Sequence, residues 1–424
     1  MNKPVVIVAG GGFAGLQFVL HLEEGMFDVI LIDKQNHHQF QPLFYQVATS
    51  QIEPSSISFP LRKIFQKRKD VRIRMGEVLE VRPASQTILT SIGEFQYDFL
   101  VLAMGCTTNF FGNQEIMKHA FTLKTTHQAI TIRNEILETF EKILYSKEEE
   151  KEALFNIVIV GGGPTGVELS GAFAEIKRDI LPKDYPRIDF SNLKIFLVEG
   201  SGHTLNNMSD LAKEASEAYL LKMGVTVIKN TYVKNYDGDQ VVLTSGQVIR
   251  SRNVIWAAGV TGNRIPGLPE DACAPGNRIR VDRINKVTGQ ENIFVIGDLA
   301  YMETPLYPKG HPQVANVAIN QGKNLARNLK AISSGKSTTD YEYRDLGSMA
   351  TIGRNKAVVD LPFMRFKGYF AWYIWMFLHL MLILSVRNKL IIFINWAWNY
   401  LSKNSSLRLI LKGEERSIAH HSEK

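Results

Sequence analysis

Runs of consecutive apolar residues, rich in valine and isoleucine, recur along the chain and end at glycines. The run at residues 5–9 leads into Gly10, and a similar run at residues 157–160 leads into Gly161. An apolar run without polar alternation is typical of a strand buried on both faces of a parallel sheet. After the first glycine turn, residues 16–22 have the helical period. The pattern therefore predicts two copies of a strand, a glycine turn and a helix.

Further strand patterns follow each copy in equivalent places. Residues 71–92 alternate between apolar and polar side chains, which indicates a short antiparallel insertion. Because the repeat extends to the ends of both units, it predicts an α/β fold with two complete, Rossmann-like dinucleotide-binding domains. The last strand returns to the first pattern, so the second domain is predicted to be inserted into the first. These strands are residues 29–33, 99–105, 195–199, 254–259 and 293–298.

The glycine turns have the spacing of phosphate-binding loops. Glycine lets the backbone approach a pyrophosphate, and the following helix offers unpaired N–H groups and the positive end of its dipole. One such motif is weak evidence, whereas two copies between a strand and a helix are strong. The predicted binding residues are Gly10, Gly12, Phe13, Ala14 and Gly15 in the first turn and Gly161, Gly163, Pro164, Thr165 and Gly166 in the second.

An acidic residue ends the second strand of each unit. Asp33 lies 23 residues beyond Gly10, close to the ~20 expected of a carboxylate that binds ribose hydroxyls. Glu199 lies 38 residues beyond Gly161, and a charged, proline-containing insertion at residues 177–191 accounts for the excess. A carboxylate repels a 2′-phosphate and accepts from a free 2′-hydroxyl. The second site is therefore predicted to prefer NADH to NADPH.

Residues 36–49 are polar at their start and aromatic later, without a helical or strand period. A long irregular segment between regular elements is typical of a functional loop, although a packed surface loop is the alternative. Pro42, Tyr45 and Gln46 are predicted to line the flat face of an aromatic cofactor.

Glu168 lies just inside the helix that follows Pro164. A glutamate there is commonly a surface residue favoured by the helix dipole. If a dinucleotide docks on the second turn, Glu168 lies beside the nicotinamide. The helix dipole lowers its pKa and burial raises it, and the sequence leaves open which effect is larger.

The C-terminal region is apolar and aromatic. Residues 369–386 contain only His379 and Ser385 as polar side chains, and as a helix they would span ~27 Å, barely a bilayer. A second segment, residues 390–401, is too short to span. Tryptophans with flanking cations favour two helices that lie in the membrane interface. A homodimer interface is the alternative. The aromatic residues are Trp396, Trp398 and Tyr400, and the cations are Lys403, Arg408 and Lys412.

Composition limits the number of domains, the binding partners and the cellular compartment that can be expected. A chain of 424 residues allows two or three domains, and a net charge of +7 gives no reason to expect nucleic-acid binding. The two isolated cysteines, Cys106 and Cys273, form no C-x-x-C pair, disulfide framework or metal site. The first strand begins by Val5, which leaves no room for a leader peptide. The protein is expected to stay in a reducing compartment where it is made.

The chain begins the first domain, inserts the second domain into it and then returns to complete the first. This order resembles that of disulfide-reductase-like flavoproteins. Specific stretches together resemble type II NADH dehydrogenase, the single-subunit, non-pumping NADH:quinone oxidoreductase. The resemblance covers nearly the whole chain, and residues 36–49 are its most specific part. The stretches are GGGFAGL, NHHQFQPLFYQVATS, a VVGGGPTGVELSG-like stretch with Ile159 in place of a valine, WAAGV, VIGDLA and the C-terminal tryptophans with RNKL.

This resemblance implies non-covalent FAD on the first unit and NADH on the second. It assigns Glu168 and Gln46 catalytic roles, with Glu168 as the candidate proton relay. The further residues implied at FAD are Lys34, His38, Thr49, Ala103, Gly105, Gly297 and Asp298, and those at NADH are Ala258 and Gly259.

The family's quinone segment reads A-Q-x-A-x-Q-Q/H-G, and residues 315–322 depart from it. Asn316 and Asn320 replace two glutamines, and each keeps an amide donor and acceptor. The resemblance implies that Asn316, Asn320 and Gln321, with Lys389, bind a membrane quinone, either menaquinone or ubiquinone. The alternative is that these amides only cap backbone groups.

The predicted domains are an FAD domain at residues 1–112 and 263–345, an NADH domain at 113–262 and a membrane-anchoring, quinone-binding region at 346–424. The expected protein is a homodimer on the cytoplasmic face of a bacterial inner membrane, in a respiratory chain. The rival enzyme is a sulfide:quinone oxidoreductase, which requires paired reactive cysteines beside the flavin. The rival from another class is a flavin-binding redox sensor, similar to apoptosis-inducing factor.

Overall fold

Two parallel sheets of five strands form the centre of the computed structural model, which describes residues 3–405 and 407–411. Hydrogen bonds join neighbouring strands of the first sheet in parallel register. Its central strand carries the first glycine turn at its carboxyl end. Across the sheet the strands are Ile293–Val295, Phe99–Leu102, Val5–Ala9, Asp28–Asp33 and Val71–Met75.

The second sheet repeats this arrangement. Its central strand, Asn156–Val160, is wholly buried and carries the second glycine turn. The register is again parallel throughout. The predicted α/β fold with two Rossmann-like domains is confirmed. Across this sheet the strands are Phe121–Thr122, Asn253–Trp256, Asn156–Val160, Lys194–Val198 and Val225–Ile228.

Smaller antiparallel sheets flank the two domains. Each domain carries a three-stranded one: Val78–Arg82, Thr87–Thr90 and Gly93–Gln96 in the first, and Val233–Tyr236, Gln240–Leu243 and Val248–Arg250 in the second. A third, Ser348–Gly353, Lys356–Leu361 and Met364–Lys367, belongs to the C-terminal region. The remaining strands are His37–Gln39, Ser58–Pro60, Cys106–Thr108, Val260–Gly262, Cys273–Ala274, Arg278–Arg280 and Ala300–Tyr301.

Helices cover the sheets and bring distant segments to the glycine turns. The helix Phe13–His21 packs against Ala315–Ser333 so closely that a Cβ on Gly322 would lie 2.4 Å from the Ala14 carbonyl oxygen. The other α-helices are Phe44–Ala48, Leu61–Ile64, Gln114–His119, Thr126–Ile143, Glu148–Phe155, Pro164–Asp179, Leu181–Asp184, Asp210–Lys222, Tyr369–Leu382 and Val386–Ser402.

Two local predictions were wrong. The segment at 36–49 is regular, because it contains the strand His37–Gln39 and the helix Phe44–Ala48, whose five side chains are all buried. The alternating stretch at 71–92 is not one antiparallel insertion, because Val71–Met75 joins the first sheet as its parallel edge strand. Only the part after it folds into the antiparallel sheet.

The C-terminal helices form a pair, here called the C-terminal helix pair. The apolar stretch at 369–386 breaks after Leu382, and Ser385 caps the second helix by accepting from the Asn388 N–H at 3.1 Å. Trp375 and Trp396 point inward and join the core of the preceding domains. Within the described ranges, none of the helices has the length and apolar character needed to cross a bilayer. Lys412, one of the predicted interfacial cations, lies outside those ranges.

Candidate functional site

The two glycine turns have nearly the same geometry. Gly10 has φ of +107° and Gly161 has φ of +108°, which L-side chains rarely adopt. A Cβ on Gly15 would lie 1.9 Å from the Gly10 carbonyl oxygen, and one on Gly166 would lie 1.9 Å from that of Gly161. Gly15 and Gly166 are therefore required for close packing of helix against strand.

The two strand-end acids brace these turns. Asp33 accepts from the N–H groups of Gly11 at 2.6 Å and Gln35 at 2.7 Å. Glu199 accepts from Gly162 at 2.5 Å and from the Ser201 N–H at 2.6 Å. Burial raises the pKa of Asp33, against the lowering effect of its two N–H donors. The sequence predicted a ribose-binding carboxylate but gave no signal for this bracing role.

A cavity of about 670 Å³ opens at the first turn, within the size range of ligand sites. It runs from the second strand of the first sheet past the glycine turn to the helix Ala315–Ser333. Most residues predicted at FAD line it. These are Gly10, Gly12, Phe13, Ala14, Asp33, Lys34, Ala103, Gly105, Gly297 and Asp298.

This first cavity fits a dinucleotide pyrophosphate at the turn. A Cβ on Gly12 would have no heavy atom within 4 Å, so the backbone there faces open space. The helix that follows begins without a side-chain cap, which leaves its first N–H groups available to phosphate oxygens. FAD would be held there by the turn and the helix N-terminus, by Asp33 at the ribose and by Asp298 at the opposite end.

Two residues implied at FAD lie behind the cavity wall. His38 donates from Nδ1 to the Gly11 carbonyl oxygen at 3.0 Å, and burial lowers the pKa of His38 to about 4. Thr49 donates to the Tyr45 carbonyl oxygen at 2.8 Å. Both side chains support the segments that line the cavity.

Cys106 lies on the first cavity, and the sequence gave no indication of its partners. Its Sγ donates to Asp298 Oδ2 at 2.9 Å, and Lys124 Nζ lies 3.4 Å from the sulfur. Burial and the Asp298 carboxylate raise the pKa of Cys106 to about 12, so the thiol stays protonated. Cys273 accepts instead from Arg264. The two cysteines thus have separate partners, which gives no support to the sulfide-oxidising alternative.

Glu168 separates the first cavity from a second one. It is 9% exposed and accepts from the Thr351 N–H at 3.5 Å. Burial raises the pKa of Glu168 well above its ordinary value. Burial therefore determines the direction of the shift, against the lowering by the Thr351 N–H. With Tyr45, Glu168 lines both cavities.

The second cavity, of about 100 Å³, lies between the helix Pro164–Asp179, the C-terminal sheet and the C-terminal helix pair. Gln46 lines it, donating to the Tyr45 hydroxyl at 2.9 Å and accepting from Trp396 Nε1 at 2.8 Å. The Trp375 Nε1 donor is buried without a partner in the described structure. The second cavity therefore connects the aromatic C-terminal region with the wall of the first.

The residues implied at the quinone lie elsewhere. Asn320 donates to Asn316 Oδ1 at 2.8 Å, and Gln321 Oε1 accepts from the Gly297 N–H at 2.8 Å. Lys389 donates to the Met381 carbonyl oxygen at 3.0 Å. None of these four side chains lines the second cavity. Their quinone role stays a prediction.

Residues predicted at NADH gather at the second turn. The strand Asn253–Trp256 ends beside it, so a Cβ on Gly161 would lie 2.9 Å from the Ala258 Cα. Gly259 has φ of +101°, and its carbonyl oxygen accepts from the Asn109 N–H at 3.2 Å. Thr165 lies on the first cavity together with Glu168. The second nucleotide site therefore opens toward the first.

Comparison with known proteins defines the class. The family profile of the pyridine nucleotide-disulphide oxidoreductases matches residues 4–322, and that of the NDH2 C-terminal domain matches residues 346–403. The chain is thus a two-nucleotide flavoprotein of the first class with a C-terminal extension. It belongs, more specifically, to the type II NADH:quinone oxidoreductases, and the resemblance seen in the sequence is confirmed.

One curated relative supports this assignment, and two solved structures share the fold. A type II NADH:quinone oxidoreductase of Mycobacterium tuberculosis is 32% identical over 94% of this chain and 88% of its own. The structure of Plasmodium falciparum NDH2 in complex with NADH matches with a TM-score of 0.89 at 21% identity, covering 97% of this chain and all of the other. The sulfide:quinone oxidoreductase of Aquifex aeolicus gives 0.72 at 18% identity, over 95% and 96% of the chains. FAD and NADH are the cofactors of this family fold, as predicted.

Proposed function

We propose that this NADH:quinone oxidoreductase receives its quinone in the second cavity and takes NADH on the side of the second glycine turn. The observation that carries this proposal is the shared wall, because Glu168 and Tyr45 line both cavities. Electrons that reach a flavin in the first cavity are thus separated from a quinone in the second cavity by the side chains of Glu168 and Tyr45. We also propose that the FAD, NADH and C-terminal domains are divided at residues 112, 262 and 345.

The overall reaction is NADH + quinone + H⁺ → NAD⁺ + quinol, with two electrons transferred. Bound FAD would supply the chemistry that accepts the hydride of NADH and passes on two electrons together with that hydrogen, so that one further proton is needed for the quinol. The chain positions the reactants and supplies the proton. Glu168, protonated because burial raises its pKa, donates a proton to a quinone oxygen. Gln46, fixed by Trp396 and Tyr45, orients the quinone.

Replacement of Glu168 by glutamine tests this function. The acid donor is lost while size and polarity are kept, so quinone turnover at pH 7 should fall about 100-fold. In the unaltered protein, turnover with quinone should decrease as pH rises through the elevated pKa of Glu168, because the protonated form is the donor. Steady-state NADH oxidation with a soluble quinone across pH 5–9 measures both effects.

Ferricyanide supplies the control, since it accepts electrons without protons. Glu168→Gln should retain much more of its ferricyanide rate than of its quinone rate. Equal quinone kinetics in both proteins across the pH range would remove Glu168 from the mechanism. Slow quinone turnover by the unaltered protein, at full flavin content, would instead favour the redox-sensor alternative.

The preference for NADH over NADPH is assigned to Glu199. In Glu199→Gln the repulsion of a 2′-phosphate is lost, so the ratio of kcat/KM for NADPH to that for NADH should rise about tenfold, which corresponds to ~1.4 kcal/mol. The amide cannot accept from both Gly162 and Ser201, so kcat/KM for NADH should also decrease. An unchanged ratio, at unchanged FAD content, would contradict the assignment.

We also propose that the exposed face of the C-terminal helix pair lies in a lipid surface, which places the enzyme peripherally on a membrane. Large apolar side chains dominate this face, and the inner face is fixed by the core. We propose further that the enzyme lies on the cytoplasmic face of a bacterial inner membrane, works in a respiratory chain and forms a homodimer. The quinone is menaquinone or ubiquinone. The exposed members are Tyr369, Phe370, Tyr373, Phe377, Leu378, Met381, Leu382, Val386, Leu390, Phe393, Ile394, Trp398 and Leu401.

A further inference from the structure

Three carboxylates lie on one face of the helix Pro164–Asp179. Glu175 follows Glu168 by seven residues and Asp179 follows it by eleven, and both intervals return to nearly the same side of an α-helix. All three residues line the second cavity. The row extends about 16 Å along the helix axis, at 1.5 Å per residue, from the shared wall to the helix C-terminus.

Glu175, the middle member, is half-buried and hydrogen-bonded across the cavity. It accepts from the Arg354 N–H at 2.6 Å, at the turn between the first two strands of the C-terminal sheet. Burial raises the pKa of Glu175, and this effect exceeds the lowering by Arg354, Arg178 and Lys356, the cations that face it. Tyr45 also lines the cavity, near enough for the charge of Glu175 to raise the pKa of Tyr45. Glu175 can therefore hold a proton in a polar but enclosed position.

The outer end of the row is charged and reaches the surface. Asp179 pairs with Arg178, whose side chain is half exposed, at 2.7 Å. The Arg354 guanidinium lies 5.7 Å from the centre of the Tyr400 ring and donates to the Asn399 carbonyl oxygen at 3.0 Å. The C-terminal helix pair thus closes the cavity on one side, and the charged groups remain at its rim.

The two inner carboxylates of the row hold a proton more tightly than the one at the rim. The hydrogen bond from Arg178 lowers the pKa of Asp179, whereas burial raises the pKa of Glu175 and that of Glu168. A proton taken up at the rim is therefore favoured to move inward along the row. This difference favours reprotonation of Glu168 after it has given up a proton.

Quinone reduction requires a supply of protons from water. Each turnover consumes one proton from water in addition to the hydrogen carried by NADH. Glu168 is nearly inaccessible at 9% exposure, and about 10 Å of helix separates it from Glu175. When no quinone occupies it, the cavity between them, of about 100 Å³, is large enough for several water molecules, so Glu168 is reprotonated between turnovers.

We propose that Glu175 is the proton-uptake residue of the quinone reaction, passing protons from the Asp179 and Arg354 rim to Glu168. The inference rests on the donor role proposed for Glu168. In each step one O–H bond breaks as another forms, and Glu168 regains the proton that it has given to the quinone oxygen. Electrons take no part in this transfer.

The variant Glu175→Gln tests the proposal. Without the acid, delivery depends on protons from bulk water, so quinone turnover should fall about tenfold at pH 8 and only about twofold at pH 6. The ferricyanide rate should fall much less. Glu175→Asp should recover part of the rate at pH 8, and added imidazole, a small proton donor, should raise the rate of Glu175→Gln. Glu152→Gln, an exposed residue outside both cavities, is the matched control and should behave as the unaltered protein.

A second readout is independent of turnover. Infrared titration of the resting protein should show one fewer carboxylic acid C=O band of elevated pKa in Glu175→Gln. A quinone rate that is unchanged at every pH, or a fall that is equal for quinone and ferricyanide and insensitive to imidazole, would overturn the proposal. If Glu168→Gln lowers the quinone rate while Glu175→Gln does not, the uptake role fails and the function stands. If neither variant changes it, the donor role of Glu168 fails as well.

Discussion

Replacement of Gly12 by valine is expected to yield a folded protein that does not retain FAD. The backbone of Gly12 has φ of −70° and ψ of −165°, which any residue can adopt. A Cβ there meets no protein atom within 4 Å, so the chain itself tolerates the side chain. The valine methyl groups occupy the space assigned to the pyrophosphate. A loss of about 3 kcal/mol in binding corresponds to about 100-fold weaker FAD affinity.

The equivalent residue of the second turn provides the matched control. Gly163 has φ of −71° and ψ of −178°, and its Cβ position is also open. Gly163→Val should retain FAD and raise KM for NADH at least tenfold, whereas Gly12→Val should lose flavin absorbance per mole of protein. Thermal unfolding of the apoproteins verifies that both variants fold. Full flavin content in Gly12→Val, or its loss in Gly163→Val, would contradict the assignment of the two sites.

The repeat was predictable because local sequence determines it. Each turn needs a glycine with φ near +107°, a second glycine that packs against the carbonyl oxygen of the first, and an acid at the end of the next strand. These requirements fix both the residue types and their spacing. Both turns therefore appear in the sequence with their acids. The bracing of Gly11 by Asp33 was not visible, since spacing indicates where a carboxylate lies and not which donors it meets.

The helix Phe44–Ala48 was missed because five residues are too few to show a helical period. Its formation depends on burial of Phe44 and Val47 against the rest of the protein, a tertiary effect. The family motif likewise directed attention to Asn316, whereas the second cavity is built from segments far apart in the chain. No local spacing relates Glu175 to Arg354, which lies 179 residues further on.

The burial of Glu168 depends on the C-terminal region, which lies far along the chain from the second glycine turn. The helix after the second turn exists in any two-nucleotide fold, but the strand Ser348–Gly353 covers it here and Thr351 donates to the carboxylate. A Cβ on Gly171 would lie 1.7 Å from the Ile352 carbonyl oxygen, so this covering requires glycine on the helix. By burying the carboxylate the C-terminal region thus raises the pKa of Glu168, an effect that exceeds the lowering by the Thr351 N–H. The same region provides the proposed membrane surface.

Replacement of four exposed aromatic side chains of the C-terminal helix pair by serine is expected to release the protein from membranes. Each large apolar side chain contributes roughly 1.5–3 kcal/mol when fully buried. Allowing for partial insertion, the four together should weaken binding to lipid vesicles at least about 1000-fold. Vesicle co-sedimentation measures the change. The residues are Phe370, Phe377, Phe393 and Trp398, all more than half exposed.

Point replacements are preferable to deletion of the C-terminal region. Deletion from residue 365 would remove Trp375, Ile392 and Trp396 from the core and the Gln46 hydrogen bond from the second cavity. Serine at exposed positions leaves these contacts intact, so NADH oxidation by ferricyanide should persist. A control with the same number of exposed apolar side chains replaced elsewhere, at Met117, Tyr145, Leu221 and Leu306, should still bind vesicles.

The same variant separates lipid binding from dimerisation. If the aromatic face contacts lipid, the unaltered protein should bind vesicles and the four-serine variant should remain in the supernatant with its oligomeric state unchanged by sedimentation. If the face is instead a dimer interface, the variant should become monomeric while vesicle binding persists. Since the second cavity opens beside this pair, loss of lipid contact should also raise KM for a long-chain quinone in vesicles more than KM for a soluble one.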